Sequence, residues 1–438
     1  MGFDKLSETK GDAVGGWSLV IVASLLIGYA TVSRRLEGTI ITPAIVFVTI
    51  GLIVGNAGFD IFGADLSPAY IRLLAEATLA LVLFSDASSI DTRVLRREAG
   101  VPIRLLTIGL PITIVLGSIL AVWTFSDLLF WEAVVVAILL APTDAALGQT
   151  VVADERLPSR LSQGLNVESG LNDGVCVPLL VSAIAFASLE ETTGNDGRIL
   201  VDLVKELGIA VGVGAVVAVA VALIWKAADR KGTISGHWSQ VIPLAAAGVA
   251  YIATDELGGS GFIACFVAGL VFGRMVGPAR EKVIDLTEEL GGVLSAITFF
   301  MFAAVLAGPA LKHLDAATVI YAVLSLTVVR MLPVAIAYIG SGSARQTRLF
   351  AGWFGPRGLA SIVFALTVVE ESGLEGTQRI VQVATFTVLL SVFAHGITAP
   401  ALTDRYVAWF NARRDRLTLE SSEVPVARNP RGGLWSDR

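Results

Sequence analysis

A polar cluster interrupts an otherwise apolar stretch near the middle of the sequence. Glu168, Ser169, Asn172 and Asp173 all lie within the segment ESGLNDG at residues 168–174. An ionised side chain at the centre of a bilayer costs about 2.5–3.5 kcal/mol on insertion scales, so packing alone does not explain two of them. A carboxylate accepts either a proton or a hard cation, and it binds them competitively. We therefore expect ion chemistry at this cluster.

Helical geometry predicts that the cluster has two faces, because residues four apart share a face and adjacent residues do not. Glu168 and Asn172 form one pair, and Ser169 and Asp173 form the other. We expect the Asp173 face to offer a carboxylate and a hydroxyl to a cation. We expect the Glu168 face to meet a basic group on another helix. The alternative is a structural polar knot that holds helices together.

The surrounding sequence has the composition of a membrane protein. Of the 438 residues, 54% are hydrophobic and 16% charged, and the mean hydropathy is +0.74. These values are too apolar for a soluble multidomain protein of this length. A spanning helix needs about 20 mainly apolar residues. Thirteen such segments are predicted, at residues 15–33, 40–57, 69–88, 102–123, 131–152, 164–189, 199–227, 239–255, 260–276, 291–310, 316–339, 349–370 and 379–403.

Basic residues predict the orientation, because short cytoplasmic loops retain lysine and arginine. With the N-terminus outside, the loops predicted to be cytoplasmic carry Arg34 and Arg35; Arg93, Arg96 and Arg97; Arg156 and Arg160; Lys226, Arg230 and Lys231; Arg274, Arg280 and Lys282; Arg345 and Arg348. The outer loops carry little beyond Arg198, Lys312 and Arg379. We expect an extracytoplasmic N-tail at 1–13, a signal-anchor first segment and a cytoplasmic tail at 404–438, in a multi-pass protein of the cell inner or plasma membrane.

Charge and cysteines exclude other classes. A formal charge of −6 and a sequence pI near 5.3 give no reason to expect nucleic acid as a partner. Cys176 and Cys265 both lie inside predicted spans. Two such cysteines provide neither a disulfide framework nor a metal quartet.

The fifth apolar segment contains a proline followed by polar groups, Pro142-Thr143-Asp144. Proline removes one backbone hydrogen bond and clashes with the preceding turn, so the helix should break there. The opened carbonyls, with Thr143 and Asp144, would form a polar concavity of the kind that lines a water-filled site. The alternative is a simple kink in which Asp144 caps the second half-helix.

The twelfth segment repeats this arrangement in Gly355-Pro356-Arg357-Gly358. Two broken helices in corresponding places indicate an inverted repeat with a substrate site near the midplane. We predict a first repeat at 14–190 (segments one to six), a linker helix at 199–228 and a second repeat at 238–403 (segments eight to thirteen).

The eleventh segment carries Arg330, which cannot deprotonate and needs a partner inside an apolar run. Glu168 is the first choice as its partner, and Arg357 is the alternative arginine for that role. Glu76, Asp86 and His395 also lie in or near spans. We expect the two carboxylates to face protein or the interface, and the histidine to make a hydrogen-bonded helix contact.

With these residues in place, the chain resembles the monovalent cation:proton antiporters (CPA1), in particular the NhaP-type branch related to the eukaryotic sodium/proton exchangers. The resemblance covers all thirteen segments. It rests on Glu168-Ser169-Gly170-Leu171-Asn172-Asp173, Pro142-Thr143-Asp144, Arg330 and Gly355-Pro356-Arg357-Gly358.

The resemblance implies roles for single residues. In that family the aspartate matching Asp173 exchanges the cation and the proton. The residues matching Ser169, Thr143 and Asp144 complete the ion site, and the glutamate matching Glu168 pairs with a buried arginine.

The resemblance also implies an all-α integral membrane protein of about 13 transmembrane helices, with inverted repeats and two crossed discontinuous helices (an NhaA-like antiporter fold). Such proteins are typically homodimers, in which a core domain moves against a stationary dimerisation domain. The partners implied are the cation, the proton and the lipid bilayer, with no cofactor. Gly170 departs from the larger residue common at its position.

The amide at Asn172 bears on stoichiometry. The related electrogenic branch has an aspartate at this position, whereas an amide carries no charge. If Glu168 stays ionised beside its arginine and Asp144 keeps its protonation state, a single carboxylate titrates. The hypothesis is electroneutral one-for-one exchange of a proton for a monovalent cation, Na⁺ or alternatively Li⁺ or K⁺.

Three other classes are less well supported. A sodium-coupled organic-anion symporter shares the crossed-helix architecture, but the site is net acidic, which suits cations. A channel lacks a visible carbonyl filter signature. An intramembrane hydrolase could use Ser169, but no histidine or lysine base lies near it in the sequence, so we predict a transporter and not an enzyme.

Overall fold

A computed structural model describes residues 16–413 apart from 37, 60–67, 91–99, 145–146, 149–150, 152–153, 155, 193–198 and 372. Within these residues all regular structure is helical, which confirms the all-α prediction. The predicted N-tail 1–13, the basic residues at 93–97, Arg198 and the tail beyond 413 lie outside the described residues.

The α-helices are numbered here in chain order over the described residues. They are α1 (Gly16–Leu36), α2 (Pro43–Val54), α3 (Pro68–Ser89), α4 (Gly100–Arg104), α5 (Leu110–Thr124), α6 (Phe130–Leu139), α7 (Ser159–Thr192), α8 (Ile199–Arg230), α9 (Gly236–Glu256), α10 (Gly261–Val276), α11 (Arg280–Val305), α12 (Ala307–Lys312), α13 (Ala316–Leu326), α14 (Val328–Ala337), α15 (Arg345–Trp353), α16 (Leu359–Glu371) and α17 (Thr377–Asn411).

Each of the thirteen predicted apolar segments overlaps at least one helix. Six helical stretches in the described chain are long and apolar enough to cross a membrane, and three shorter helices are also apolar. The protein is therefore an integral, multi-pass membrane protein. Helix α17 continues unbroken to Asn411, past residue 403 where the last predicted segment ends.

Two further apolar segments contain an interruption of the regular α-helix. A π-helical turn, Leu105–Gly109, joins α4 to α5 immediately before Pro111, which has no N–H to donate. The eleventh segment is divided at Thr327, whose hydroxyl donates to Val323 O at 2.6 Å. This interruption had no proline signal in the sequence and was not predicted.

The helices pack as two groups. The first contains α2, α3 and α8–α11, and the second contains α4–α7 and α13–α17. Helix α3 packs on α10 and α11 within the first group and also contacts α7 and α16 of the second. The polar cluster of α7 therefore lies on a helix at the boundary between the groups.

Glycines set the contact between α3 and α10. A side chain at Gly269 or Gly273 would collide with the backbone of Phe84 or Ser88, respectively. The Ser88 hydroxyl also donates to Gly269 O at 3.1 Å. Small residues four apart let two membrane helices approach closely, so α3 is held firmly against the first group.

Candidate functional site

The predicted break in the fifth segment is present. Helix α6 ends at Leu139, and residues 140–144 leave the helix. Groups from the twelfth segment bind the carbonyls exposed by the break. Ser361 Oγ donates to Leu139 O at 2.8 Å, and Arg357 Nη1 donates to Pro142 O at 2.9 Å and to Ala141 O. The buried Arg357 guanidinium thus lies at the C-terminal end of α6, where a positive charge is favourable.

The twelfth segment breaks between Trp353 and Leu359, and the fifth segment supplies the complementary groups. Asp144 N donates to Pro356 O at 2.8 Å, so the two breaks share a backbone hydrogen bond. Asp144 Oδ2 accepts from Leu359 N at 2.7 Å, which places a carboxylate at the N-terminus of α16. Arg357 of the second break therefore lies at the C-terminal end of α6, and Asp144 of the first break lies at the N-terminus of α16.

The capping role of Asp144 differs from the sequence-based alternative. That alternative placed the carboxylate on the second half of its own segment. Asp144 Oδ1 does accept from Leu147 N at 3.1 Å, but its shorter bond is to Leu359 N of the opposing segment. Sequence patterns indicate that a carboxylate can cap a helix, but not which helix end lies nearest.

The ESGLNDG cluster lies in the middle of α7 and contacts Thr143 of the first break. Thr143 Oγ1 is 2.9 Å from Ser169 Oγ, and Asn172 Nδ2 donates to Thr143 Oγ1 at 2.8 Å. The predicted division into two faces was therefore wrong for Asn172, which shares Thr143 with Ser169. The two residues are three apart and converge on one hydroxyl.

Asp173 has a carboxylate oxygen to which the described part of the chain donates no hydrogen bond. The residue is buried, and among the described residues its Oδ1 has no hydrogen-bond partner. Asn172 Oδ1 is likewise buried without a partner there. Asp144 and Asp86 are close enough for their charges to act on Asp173. A buried acceptor without a donor is costly, so this oxygen is suited to a proton or a cation.

Glu168 is neutralised by Arg330. Nη1 and Nη2 of the arginine donate to Oε1 and Oε2 of the glutamate at 2.5 and 2.9 Å, a bidentate pair in which both side chains are buried. The predicted pairing is thus present. The alternative partner, Arg357, instead contacts backbone carbonyls. A side chain at Gly355 would collide with the Arg330 guanidinium, so the second break also leaves room for this pair.

The remaining sequence candidates have other neighbours. Glu76 pairs with Arg72, one turn away in α3. Asp86 lies opposite Gly170 of α7, at 3.5 Å between the Asp86 Cβ and the position of an added Cβ. His395 makes a hydrogen-bonded contact, as expected, and its Nε2 lies 2.9 Å from Trp353 O.

Sequence reasoning missed several polar groups that hold the breaks. Ser361 and Ser391 contact them directly, since Ser391 Oγ accepts from Arg357 N at 2.7 Å. Glu132 is buried at the start of α6 and accepts from Leu129 N at 2.8 Å and from Gly376 N at 2.6 Å. Each is a polar residue in an apolar segment, which was the available signal.

Comparison with known proteins places these features in a family. Residues 21–405 match the family of transmembrane sodium/hydrogen exchangers. The K(+)/H(+) antiporter NhaP2 of Shewanella sp. (strain ANA-3) is 25% identical over 424 residues, covering 95% of this chain and 70% of the relative. The Na(+)/H(+) antiporter ApNhaP of Aphanothece halophytica is 27% identical over 405 residues, covering 88% and 74%.

Solved structures agree on the fold. The sodium proton antiporter MjNhaP1 from Methanocaldococcus jannaschii superposes with a TM-score of 0.70 at 20% identity, covering 87% of this chain and 98% of that one. The resemblance drawn from the polar motifs is confirmed by the family match, which spans nearly all of the described helices. The chain therefore belongs to the sodium/hydrogen exchanger family, the monovalent cation/proton antiporters of the NhaP type that its motifs resemble.

Proposed function

We propose that the chain exchanges one monovalent cation for one proton at Asp173. The observation that carries this proposal is the contrast along one helix. Glu168 is held by two hydrogen bonds from Arg330, whereas Asp173 has a buried oxygen with no partner in the described part of the chain. An oxygen of this kind can bind a proton and a hard cation in turn.

The proposed cation ligands surround the contact between α7 and the first break. Asp173 supplies the exchanging carboxylate, and Ser169 and Thr143 supply neutral oxygens whose 2.9 Å contact holds them together. Asp144 supplies a second carboxylate whose oxygens also receive backbone N–H groups. Its fixed negative charge attracts a cation while its hydrogen bonds keep it ionised through the cycle.

The other site residues position this set. Asn172 orients the Thr143 hydroxyl through its amide N–H. Arg330 holds Glu168 in place through two hydrogen bonds. Arg357 holds the carbonyls of the first break, so the loop that carries Thr143 and Asp144 stays in place.

Electroneutrality follows from the number of groups that change protonation. Glu168 is paired, Asn172 is an amide, and Asp144 is bonded to backbone N–H groups. Of the residues assigned to the site, Asp173 is then the one that alternates between its two ligands. One proton then crosses for each cation, and no net charge moves in a complete cycle. Coupling needs only that the empty, charged site crosses slowly.

The proposed topology has thirteen transmembrane segments, with inverted repeats at 14–190 and 238–403 around a linker helix at 199–228. The reciprocal bonds between the two breaks support this arrangement. We further propose an outside N-terminus, a cytoplasmic tail from 404, a homodimer, and a role in pH homeostasis at the cell membrane. The basic loops support the orientation.

Na⁺ is the proposed cation, and K⁺ is the second candidate because several similar proteins are named for K⁺. The organic-anion alternative is less well supported, because the site carries the carboxylates of Asp144 and Asp173, which suit a cation, and Nη1 of Arg357 is bound to carbonyls of the first break.

A pH-sensitive dye in proteoliposomes tests the proposal. A preset proton gradient should collapse when Na⁺, K⁺ or Li⁺ is added alone, at different half-saturating concentrations for each ion. Liposomes without protein are the control. A gradient that collapses only when an organic anion accompanies the cation would support the symporter instead.

A further inference from the structure

One face of α17 is directed at the break in the twelfth segment. Ser391, His395 and Thr398 are spaced i, i+4 and i+7, so they lie along the same side of the helix. Ser391 Oγ accepts from Arg357 N at 2.7 Å, and His395 Nε2 is 2.9 Å from Trp353 O. Thr398 Oγ1 accepts from Trp353 Nε1 at 3.0 Å. The three side chains therefore contact Trp353, just before the non-helical residues 354–358, and Arg357 within them.

Hydrogen-bond chemistry fixes the direction of the histidine contact. Trp353 O can only accept, so a hydrogen bond at this contact requires the proton on Nε2 of His395, and in that neutral tautomer Nδ1 accepts from the Ser391 hydroxyl. The ring's other nitrogen, Nδ1, lies 2.9 Å from Ser391 O and 3.2 Å from Ser391 Oγ, which orients it within α17. The ring also packs on the Trp353 indole, with centroids 5.1 Å apart.

These contacts bind two backbone groups of the break. Trp353 O lies at the last residue of α15, and Arg357 N lies two residues before α16. Arg357 is buried and its N–H pairs with Ser391 Oγ; left unpaired, such a group would cost free energy comparable to a lost hydrogen bond. Trp353 O is partly buried and accepts from Gly355 N at 2.8 Å, so His395 Nε2 occupies its second acceptor position. Helix α17 thus binds the interrupted segment at both of these groups.

The position of this break determines the position of the ion ligands. Pro356 O accepts from Asp144 N, and Arg357 Nη1 holds Pro142 O. Both bonds fasten the loop that contains Thr143. A shift of residues 354–358 would therefore move Thr143 and Asp144 relative to Asp173.

We propose that His395, together with Ser391, is a positioning residue for cation binding. It acts through the second break on Thr143 and Asp144 and does not touch the ion. This inference rests on the proposed ion site. Helix α17 contributes none of the predicted ligands, but in this proposal it controls the affinity for the cation.

Four variants test the inference in proteoliposomes. His395→Leu removes the donor, and His395→Gln keeps an N–H that can reach Trp353 O. Ser391→Ala removes the acceptor for Arg357 N. Thr387→Val is the matched control, because Thr387 lies one turn earlier on the same face and, among the described residues, its hydroxyl bonds within its own helix, to Val383 O at 2.7 Å.

His395→Leu and Ser391→Ala should each raise the apparent KM for the cation about tenfold, the effect of losing one buried hydrogen bond on the ligand loop. His395→Gln and Thr387→Val should stay within about twofold of the parent protein. Backbone hydrogen exchange in peptides covering 354–358 should rise in the first two variants alone. A general loss of folded protein would lower the maximal rate without changing KM.

An unchanged KM in His395→Leu would overturn the inference, and so would a His395→Gln variant as impaired as His395→Leu. Failure of the ion site itself is recognised separately. If Asp173→Asn still exchanges ions, the ligand assignment is wrong, while hydrogen exchange at 354–358 still reports whether His395 holds the break.

Discussion

Glu168 and Asp173 lie five residues apart on the same helix, both buried, and their surroundings differ completely. Glu168 receives two hydrogen bonds from a buried guanidinium, at 2.5 and 2.9 Å. Asp173 Oδ1 receives none among the described residues. One carboxylate has its charge matched permanently by protein, and the other is left to be matched by a proton or an ion.

The contrast separates two kinds of buried carboxylate in one membrane protein. Both oxygens of Glu168 accept hydrogen bonds from a bidentate arginine. Asp144 is held similarly by N–H groups of Leu147 and Leu359. The partners on neighbouring helices, and not the residue type, separate structural carboxylates from the exchanging one.

The largest expected effect comes from removing the exchanging carboxylate. Asp173→Asn should abolish cation/proton exchange. The amide does not take up a proton in the working pH range, and it has no negative charge with which to bind a cation. The variant should insert into the membrane and elute from size exclusion like the parent protein, since no bond to Oδ1 from the described residues is lost. Dye-monitored exchange in proteoliposomes measures the loss. Activity near that of the parent protein would move the ion site elsewhere.

Removing the paired carboxylate should act on stability first. Glu168→Gln leaves the Arg330 charge buried and uncompensated, which should lower the free energy of unfolding by about 3–5 kcal/mol. Replacing both members, as Glu168→Leu with Arg330→Met, should recover most of this loss, because an apolar pair of similar volume avoids the desolvation cost. Thermal unfolding in detergent gives the comparison. Equal stabilities for the single and double variants would show that the pair is not coupled.

Much of this contrast was predictable from sequence, and its limits are physical. Proline followed by a charge predicted both breaks, and the cost of a buried arginine predicted a partner for Arg330. Helical phase could not place Asn172 correctly, because it describes one helix and not the hydroxyl of Thr143 that the neighbouring segment presents. The positions of Arg357 and Asp144 on opposing helix ends depend likewise on how the two segments pack in the tertiary structure. The same holds for the contact of His395 with Trp353 O.

Two glycines of the second break allow the Glu168–Arg330 pair and the Asp144 carboxylate to be disturbed separately. An added Cβ at Gly355 would collide with the Arg330 guanidinium, and one at Gly358 with the Asp144 carboxylate. Overpacking costs about 1–3 kcal/mol. Gly355→Ala should therefore lower the unfolding temperature, and Gly358→Ala should raise the apparent KM for the cation.

Gly170→Ala is the control for these substitutions. Its added Cβ would meet Asp86 Cβ at 3.5 Å, an ordinary van der Waals distance. This variant should behave like the parent protein in both assays. If Gly355→Ala and Gly358→Ala changed stability and KM to the same degree, Glu168 and Asp144 would not have separate roles.

An exposed ion pair provides the smallest effect. Asp315, just before α13, bonds Arg379 Nη1 at 2.8 Å with 41% of its side chain exposed. Partial burial tends to raise the pKa of this carboxyl, but hydrogen bonds from Thr318 and Arg379 outweigh it and lower the pKa below its usual value. Asp315→Asn should cost only about 0.2–1 kcal/mol, because solvent screens the pair.

The pH dependence of that cost has a definite sign. A lowered pKa in the folded protein contributes stability above the unfolded-state pKa, about 3.9. The contribution disappears as the pH falls through the folded-state pKa. Thermal unfolding of Asp315→Asn and the parent protein should therefore differ slightly at neutral pH and converge in acid. A difference that grows on acidification would contradict this assignment.

The dependence of exchange on membrane potential tests the claim of a single titrating carboxylate most directly. Proteoliposomes with fixed Na⁺ and proton gradients would be held at inside-negative, zero and inside-positive diffusion potentials of about 100 mV, at which each unbalanced charge contributes about 2.3 kcal/mol. Exchange of one proton for one cation at Asp173 predicts the same initial rate at all three potentials. A rate that changes clearly with potential would show that more than one charge titrates, and would contradict the account.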